Sequence, residues 1–211
     1  MPKTCQWSAL SWFFRVKMNR PGGKRDSIDR MGDYREQPVD ELLVMDCQDG
    51  SRKAMELLIS RWQKRLWRYA LRLTGDPEAA WDVTQESWLA IVRGISRLND
   101  PARFGPWAYR IVTNKADDWI RKNVRMALLP PEFDREARQS DGQQPTVTAA
   151  DLSSVLHRLS SSARTVLTLH YLEGFALAEI AGILHVPRGT VKSRLYTARN
   201  ELRALWPQTS E

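Results

Sequence analysis

Three groups of side chains in this sequence have the types and spacing to engage another molecule. Asp82, Gln85, Glu86 and Leu89 recur at three- and four-residue offsets, which puts two acids, an amide and an apolar contact on one face of a helix. Such a face suits a basic protein surface. Two carboxylates could also hold a divalent metal for a nuclease, but a third ligand and a general base are lacking, so that chemistry is poorly served. Further along, Trp107, Arg110, Asn114 and Arg121 share a broad helical face that Lys122 and Arg125 continue with positive charge. Aromatic rings stack on unpaired bases, cations hold phosphates and an amide reads a base edge, so this pattern fits single-stranded DNA. A tryptophan near a helix start also often only packs. The third group follows Ala176 to Lys192, where a short helix, a three-residue turn at His185-Val186-Pro187 and a second helix have helix-turn-helix spacing. Lys192, Ser193, Tyr196 and Arg199 lie off the inner stripe of that second helix. From Arg188 to Arg203 there are five basic residues and one acid. That combination supports phosphate anchoring and base-edge contacts in a major groove.

The elements that must position these groups are helices. From Val39 onward the apolar spacing is helical and no stretch alternates with period two, which predicts an all-α fold. Asp40 can cap a short helix ending near Cys47, and Ser51 can cap a longer one stopped by Gly75. Along the latter, Ala54, Leu58, Trp62, Leu66, Tyr69 and Leu73 form the buried stripe. Asp76-Pro77-Glu78 starts a third helix reaching about Arg93, with a capping carboxylate, a proline where no donor is lost and an acid at the positive dipole end. After Asn99-Asp100-Pro101 breaks the chain, Pro106 opens a fourth helix through Lys122, with Ala108, Ile111, Val112, Lys115, Trp119 and Ile120 near its inner face. Residues 39–124 then form one bundle. Residues 125–150, rich in Pro, Gln, Ser, Asp and Gly, read as a flexible linker. Four more helices, 151–159, 161–172, 177–184 and 189–205, form a second small domain over 151–206, where Val191, Leu195, Ala198, Leu202 and Leu205 make the inner stripe of the last helix. Residues 1–38 read as a poorly ordered extension and 207–211 as a tail.

Composition sets outer bounds. In 211 residues, 42% are apolar and 27% charged, which is a globular balance. A net charge of +7 and a pI near 9.7 favour a polyanionic partner. Cys5 and Cys47 form no CxxC or Cys/His cluster, and His157, His170 and His185 are too far apart to pair on one helix face. No metal site or cofactor is therefore expected, and a reducing cytoplasm fits. No apolar run approaches the roughly 18 to 20 residues that span a bilayer, and Trp7 to Val16 is interrupted by Ser8, Ser11 and Arg15, so stable membrane insertion is not expected.

Three motifs in order carry a specific resemblance. Asp76-Pro77-Glu78-Ala79-Ala80-Trp81-Asp82-Val83-Thr84-Gln85-Glu86-Ser87-Trp88, Phe104-Gly105-Pro106-Trp107-Ala108-Tyr109-Arg110-Ile111-Val112-Thr113-Asn114 and Gly189-Thr190-Val191-Lys192-Ser193-Arg194-Leu195 are similar to the extracytoplasmic-function (ECF) group of bacterial RNA polymerase sigma factors. The resemblance implies two helical domains, sigma region 2 and sigma region 4, with no catalysis of their own. It implies core RNA polymerase, promoter DNA and an anti-sigma factor as partners. It assigns Asp82, Gln85, Glu86 and Leu89 to core docking, and Asn114 to a promoter −10 base beside a cradling loop over 99–104 that includes Arg103 and Phe104. It places Arg188, Thr190, Lys192, Ser193, Tyr196, Thr197 and Arg199 at the −35 element. Two departures stand out: Trp81 replaces the usual acid before Asp82, either as an apolar anchor or packing inward, and Thr197 replaces a common basic residue. A free-standing helix-turn-helix regulator of duplex DNA is the alternative, but it leaves the Asp82 to Trp88 and Trp107 to Asn114 motifs unused.

Overall fold

A computed structural model describes residues 37–127 and 149–205. The expectations for the extension before Gln37, for most of the linker and for the tail lie outside these described residues. Among the described residues eight α-helices follow one another: α1 Gln37–Gln48, α2 Arg52–Thr74, α3 Pro77–Gly94, α4 Phe104–Ala127, α5 Ala149–Arg158, α6 Ser161–Leu167, α7 Leu177–Leu184 and α8 Arg188–Leu205. A π-helical turn, Thr168–Leu172, extends α6, and no strand occurs among the described residues.

The stops and starts follow local chemistry. Ser51 accepts from the Ala54 amide at 3.3 Å, and Asp76 accepts from Glu78 at 2.8 Å, each satisfying a first-turn donor. Gly75 closes α2 at φ 78°, a left-handed conformation that glycine adopts without steric cost. Two expected starts are displaced. Asp40 is not a cap: α1 begins at Gln37, so Asp40 lies inside its first turn, where Arg61 Nε donates to its carboxylate at 2.9 Å. The fourth helix opens at Phe104 rather than Pro106, because Asp100 caps the preceding 3-10 turn Pro101–Arg103 by accepting from the Ala102 amide at 3.1 Å.

The first four helices enclose one aromatic core. The α2 stripe is buried as its spacing requires, and Trp88, Tyr69, Tyr109 and Phe104 are the bulkiest fully enclosed side chains. Trp62 packs edge-on against Phe104 at 5.1 Å and Tyr69 against Tyr109 at 4.8 Å, both favoured quadrupole geometries. Gln48, at the end of α1, donates to the Ile95 carbonyl at 3.0 Å and the Leu98 carbonyl at 2.7 Å. That amide fixes the loop leading into α4. Cys47 beside it is buried, and burial followed by the Asp46 charge pushes its thiol up to about 12, leaving it unreactive at neutral pH.

The last four helices bury Val155, Leu156, Leu159, Val166, Leu169, Ile180, Ile183, Val191 and Leu195, and all of these but Val155 belong to one hydrophobic cluster with the core of the first four. The two halves also pack together, which the expectation of separate domains on a linker did not include. Glu173, 6% exposed, reaches from the turn after α6 into the first bundle. Arg72 Nη1 lies 2.5 Å from one of its oxygens and Arg65 Nε 3.8 Å from the other, to which the Tyr109 hydroxyl also donates. Phe175, two residues on, sits edge-on against Tyr109 at 4.9 Å. Arg164 donates to the Leu73 carbonyl at 2.6 Å and to three carbonyls of its own half, those of Leu156, His157 and Leu159. It thereby ties the C-terminus of α2 to the start of α6.

The Gln48 anchor generates a test. Gln48→Ala leaves the partly buried Leu98 carbonyl without its side-chain donor and the Ile95 carbonyl with only the Leu98 amide, a loss of about 1 to 3 kcal/mol in urea unfolding. Amide exchange should accelerate over 95–103. An unchanged unfolding midpoint together with unchanged exchange would contradict the anchoring role.

Candidate nucleic-acid interface

Helix α3 turns Ala79, Ala80, Val83, Thr84, Ser87, Trp88 and Ile91 into the core. Its other side is therefore presented outward, with Asp82 and Glu86 exposed and Gln85 and Leu89 half-buried between them. The helical periodicity that fills the core thus also assembles the acidic face. Glu86 accepts from Lys115 Nζ of α4 at 3.0 Å, yet its side chain stays 62% exposed, so the pair remains hydrated and exchangeable. Trp81 is half-buried at the margin of this face.

Helix α4 and the loop before it carry the second group. Asn114, Arg103 and Arg121 are exposed, and Arg110 and Trp107 are half-buried. The Trp107 indole lies over Gly94, where an added Cβ would approach its Cζ2 to 3.0 Å, and its ring stands 6.1 Å from that of Phe104. One side of Trp107 is therefore structural while the side chain keeps partial solvent access. Arg103 pairs with Asp100 at 3.2 Å and Arg121 with Asp118, both in contact with water, so each guanidinium can exchange its carboxylate for a phosphate at small cost. Phe104 requires a correction. It is 1% exposed against Trp62, so its ring supports the loop from inside and has no face free for a base.

The third group is set by the turn between α7 and α8. His185 adopts φ 51°, ψ 44°, the left-handed stop that ends α7, and the Val186 amide returns to the Ala181 carbonyl at 3.2 Å. Val191, Leu195 and Ala198 are buried, leaving Arg188, Lys192, Ser193, Tyr196, Thr197 and Arg199 exposed and Thr190 half-buried. Tyr196 stands out at 66% exposure. Glu201, the one acid in this stretch, turns away to accept from Ser160 Oγ at 3.2 Å, leaving the outer face basic. Ser193 Oγ donates to the Thr190 carbonyl at 3.0 Å and retains its acceptor capacity. Asn200, not singled out in the sequence, is exposed four residues after Tyr196 and seven after Ser193, and shares their face.

Perturbed titratable groups also lie elsewhere, at the junction. Burial, followed by the nearby Glu173 charge, holds the Tyr109 hydroxyl well above its ordinary range. Burial followed by Arg164 keeps the His157 imidazole below its own. Periodicity does not mark the Tyr109 perturbation, because Glu173 lies on an element distant in sequence. Among the described residues, no cluster of three His, Cys, Asp or Glu side chains could hold a metal ion, and no helix is long and apolar enough to cross a membrane.

A bundle with an outward acidic helix and an adjoining helix of aromatic, amide and basic groups, followed by a helix-turn-helix, defines a multi-surface DNA-binding protein. Residues 58–126 match the family Sigma-70 region 2 and residues 149–202 the family Sigma-70, region 4. The ECF RNA polymerase sigma-E factor of Haemophilus influenzae is 31% identical over 180 residues, covering 78% of this chain and 93% of its own. The RNA polymerase sigma-H factor of Pseudomonas aeruginosa is 28% identical over 192 residues, covering 83% and 98%. Among solved structures, CnrH in complex with the cytosolic domain of CnrY superposes with a TM-score of 0.61 at 25% identity, covering 82% of this chain and 99% of that one. The sigma factor RpoE bound to the anti-sigma factor NepR from Bartonella quintana shares the fold at a TM-score of 0.60 and 23% identity, covering 72% and 96%. The chain belongs to the ECF sigma factors of the sigma-70 family.

The hydrated state of the acidic face predicts how its variants behave in isolation. Asp82→Asn and Glu86→Gln should each leave unfolding free energy within about 1 kcal/mol of wild type in a denaturant titration. A loss well beyond that would make these acids structural.

Proposed function

We propose that residues 39–124 and 151–206 act as the two working units of a dissociable initiation subunit, joined through 125–150. The first docks on core RNA polymerase through Asp82, Gln85, Glu86 and Leu89, and meets the −10 element with Asn114, supported by Arg103, Trp107, Arg110 and Arg121. The second reads the −35 element with the outer face of α8: Arg188, Thr190, Lys192, Ser193, Tyr196, Thr197 and Arg199. The observation that carries this reading is the side-by-side exposure of the Asp82/Glu86 face and of Asn114 on adjoining helices of a single bundle. A duplex-only regulator has no use for either. The subunit performs no catalysis and works in the cytoplasm, where the polymerase is. The fold shared with a sigma factor solved in complex with an anti-sigma factor supports such a factor as a further partner here.

The physical division of labour follows from the side chains. Acids on α3 offer charge complementarity to a basic polymerase surface, which contributes to orientation and encounter rate. Asn114 presents a donor and an acceptor on a short stem, enough to read one flipped base edge and too little to hold a duplex. The α8 cations neutralise phosphates and fix register, leaving Ser193, Tyr196 and Thr197 to meet base edges.

Transcription with purified core enzyme on a genomic fragment library, with start sites mapped, tests the whole. Discrete starts sharing upstream elements are expected, and core enzyme that starts no differently with and without the chain would reject the reading. Within that assay, Lys192→Ala and Tyr196→Ala should each weaken −35 occupancy roughly tenfold, the equivalent of a base contact, with core affinity intact. Asn114→Ala should slow strand opening and blur preference at one −10 position while duplex capture is retained. Permanganate footprints on a base-swap series check this, and a wild-type rank order in the mutant would remove Asn114 as the reader.

A further inference from the structure

We infer that Glu173 is an intramolecular latch that holds the two halves of the chain shut, and that the closed form must open before both promoter elements can be read. The inference rests on the sigma-factor reading for what opening accomplishes, and on the geometry alone for the latch itself.

The carboxylate is the feature that most needs explanation. Its side chain keeps 5% of its exposure, and its three partners, Arg72, Arg65 and the Tyr109 hydroxyl, all come from the first bundle, across a sequence separation of 64 residues or more. A buried carboxylate is tolerated only when paired and hydrogen-bonded, and all of that compensation is supplied by the other half. Gly174, at φ 76°, provides the backbone turn between Glu173 and Phe175, both of which enter the first bundle's surface. The Arg164 bond to the Leu73 carbonyl adds a second polar tie across the junction. When the halves part, Glu173, Arg65 and Arg72 regain water, so no charge is stranded and opening is a permitted transition. A latch has this property, and a static core does not.

Closure also obstructs the proposed function geometrically. Elements named −10 and −35 are separated by some 20 to 25 base pairs, roughly 70 to 85 Å of duplex at 3.4 Å per base pair. In the closed chain α7, the first helix of the helix-turn-helix, packs directly against α4, which carries Asn114. The first helix of such a motif crosses the DNA backbone when the second enters the groove, and one flank of α7 is here occupied by protein. The 21 residues between Ala127 and Ala149 span at most about 75 Å, which permits the required separation when extended. The apparent affinity of a partner that needs the open form is reduced by the fraction of chain that is open.

Charge exchange provides the test on the full chain. Dyes are placed at Asp49→Cys and Arg203→Cys, both exposed, in a Cys5→Ser background, where the buried Cys47 thiol stays unlabelled. Single-molecule energy transfer then reads the closed-to-open ratio, and a parallel titration reads core-polymerase affinity. Glu173→Arg and Arg72→Glu should each lower the closed-to-open ratio at least tenfold and tighten core binding several-fold, with helical content by circular dichroism unchanged. Combining them should restore closure and return the affinity toward wild type, a rescue that general misfolding cannot give. Single variants as closed as wild type would overturn the latch. Variants that open without any gain in core affinity would overturn its inhibitory role. Wild-type chain that never binds core would instead overturn the sigma-factor reading, while the energy-transfer series would still report on the latch.

Discussion

A carboxylate taken out of water constrains everything around it, and Glu173 imposes that constraint on both halves of this molecule. Burial is costly unless each oxygen is satisfied, so the positions of Arg72, Arg65 and Tyr109 are fixed relative to the turn after α6. Tyr109 links the latch to the rest of the core. Its ring stacks edge-on with Tyr69 and Phe175, and its backbone carbonyl accepts from Thr113 Oγ1 at 2.8 Å. Thr113 in turn shares a hydrogen bond of 2.7 Å with the Tyr69 hydroxyl. Thr113 immediately precedes Asn114, so the proposed base reader projects from a backbone whose inner side is held by the same aromatic and polar network that receives Glu173.

The surfaces themselves use the simplest device available to a helix. In α3, α4 and α8 one stripe is consumed by the core, and the complementary stripe is presented outward at a fixed angle. Function therefore needs few special conformations. The exceptions are at the joints: positive-φ Gly50, Gly75, Gly174 and His185, the Asp100 cap and the Gln48 anchor, each of which sets where a helix begins or how the next one is aimed.

How much could be read from the chain follows from this division. The stripes of α2 and α8, the Asp76-Pro77 start and the helix-turn-helix were legible because each depends on residues within a few turns of one another. The start of α4 was misplaced because Asp100 caps a 3-10 turn, which propensity does not distinguish from a loop. The resemblance places Phe104 in the loop that cradles a −10 base, whereas its ring fills the space beside Trp62, a partner 42 positions away that the motif does not include. The burial of Tyr109, Thr113 and Ala116 on α4 exceeds what its apolar pattern required. For Tyr109 the added cover comes from Glu173 and Phe175 of the other half, a long-range pairing with no local signature.

The central claim is that one chain reads two DNA sites at once with surfaces that in its free form belong to one closed body. Photo-crosslinking in the assembled promoter complex tests it most directly, with a benzophenone amino acid replacing the exposed Tyr196 in one preparation and the exposed Lys122 in another. The account predicts crosslinks to DNA about two helical turns apart, roughly 70 Å or more, from complexes of a single promoter. Crosslinks from both positions within one helical turn, or DNA contact from Tyr196 alone, would contradict it.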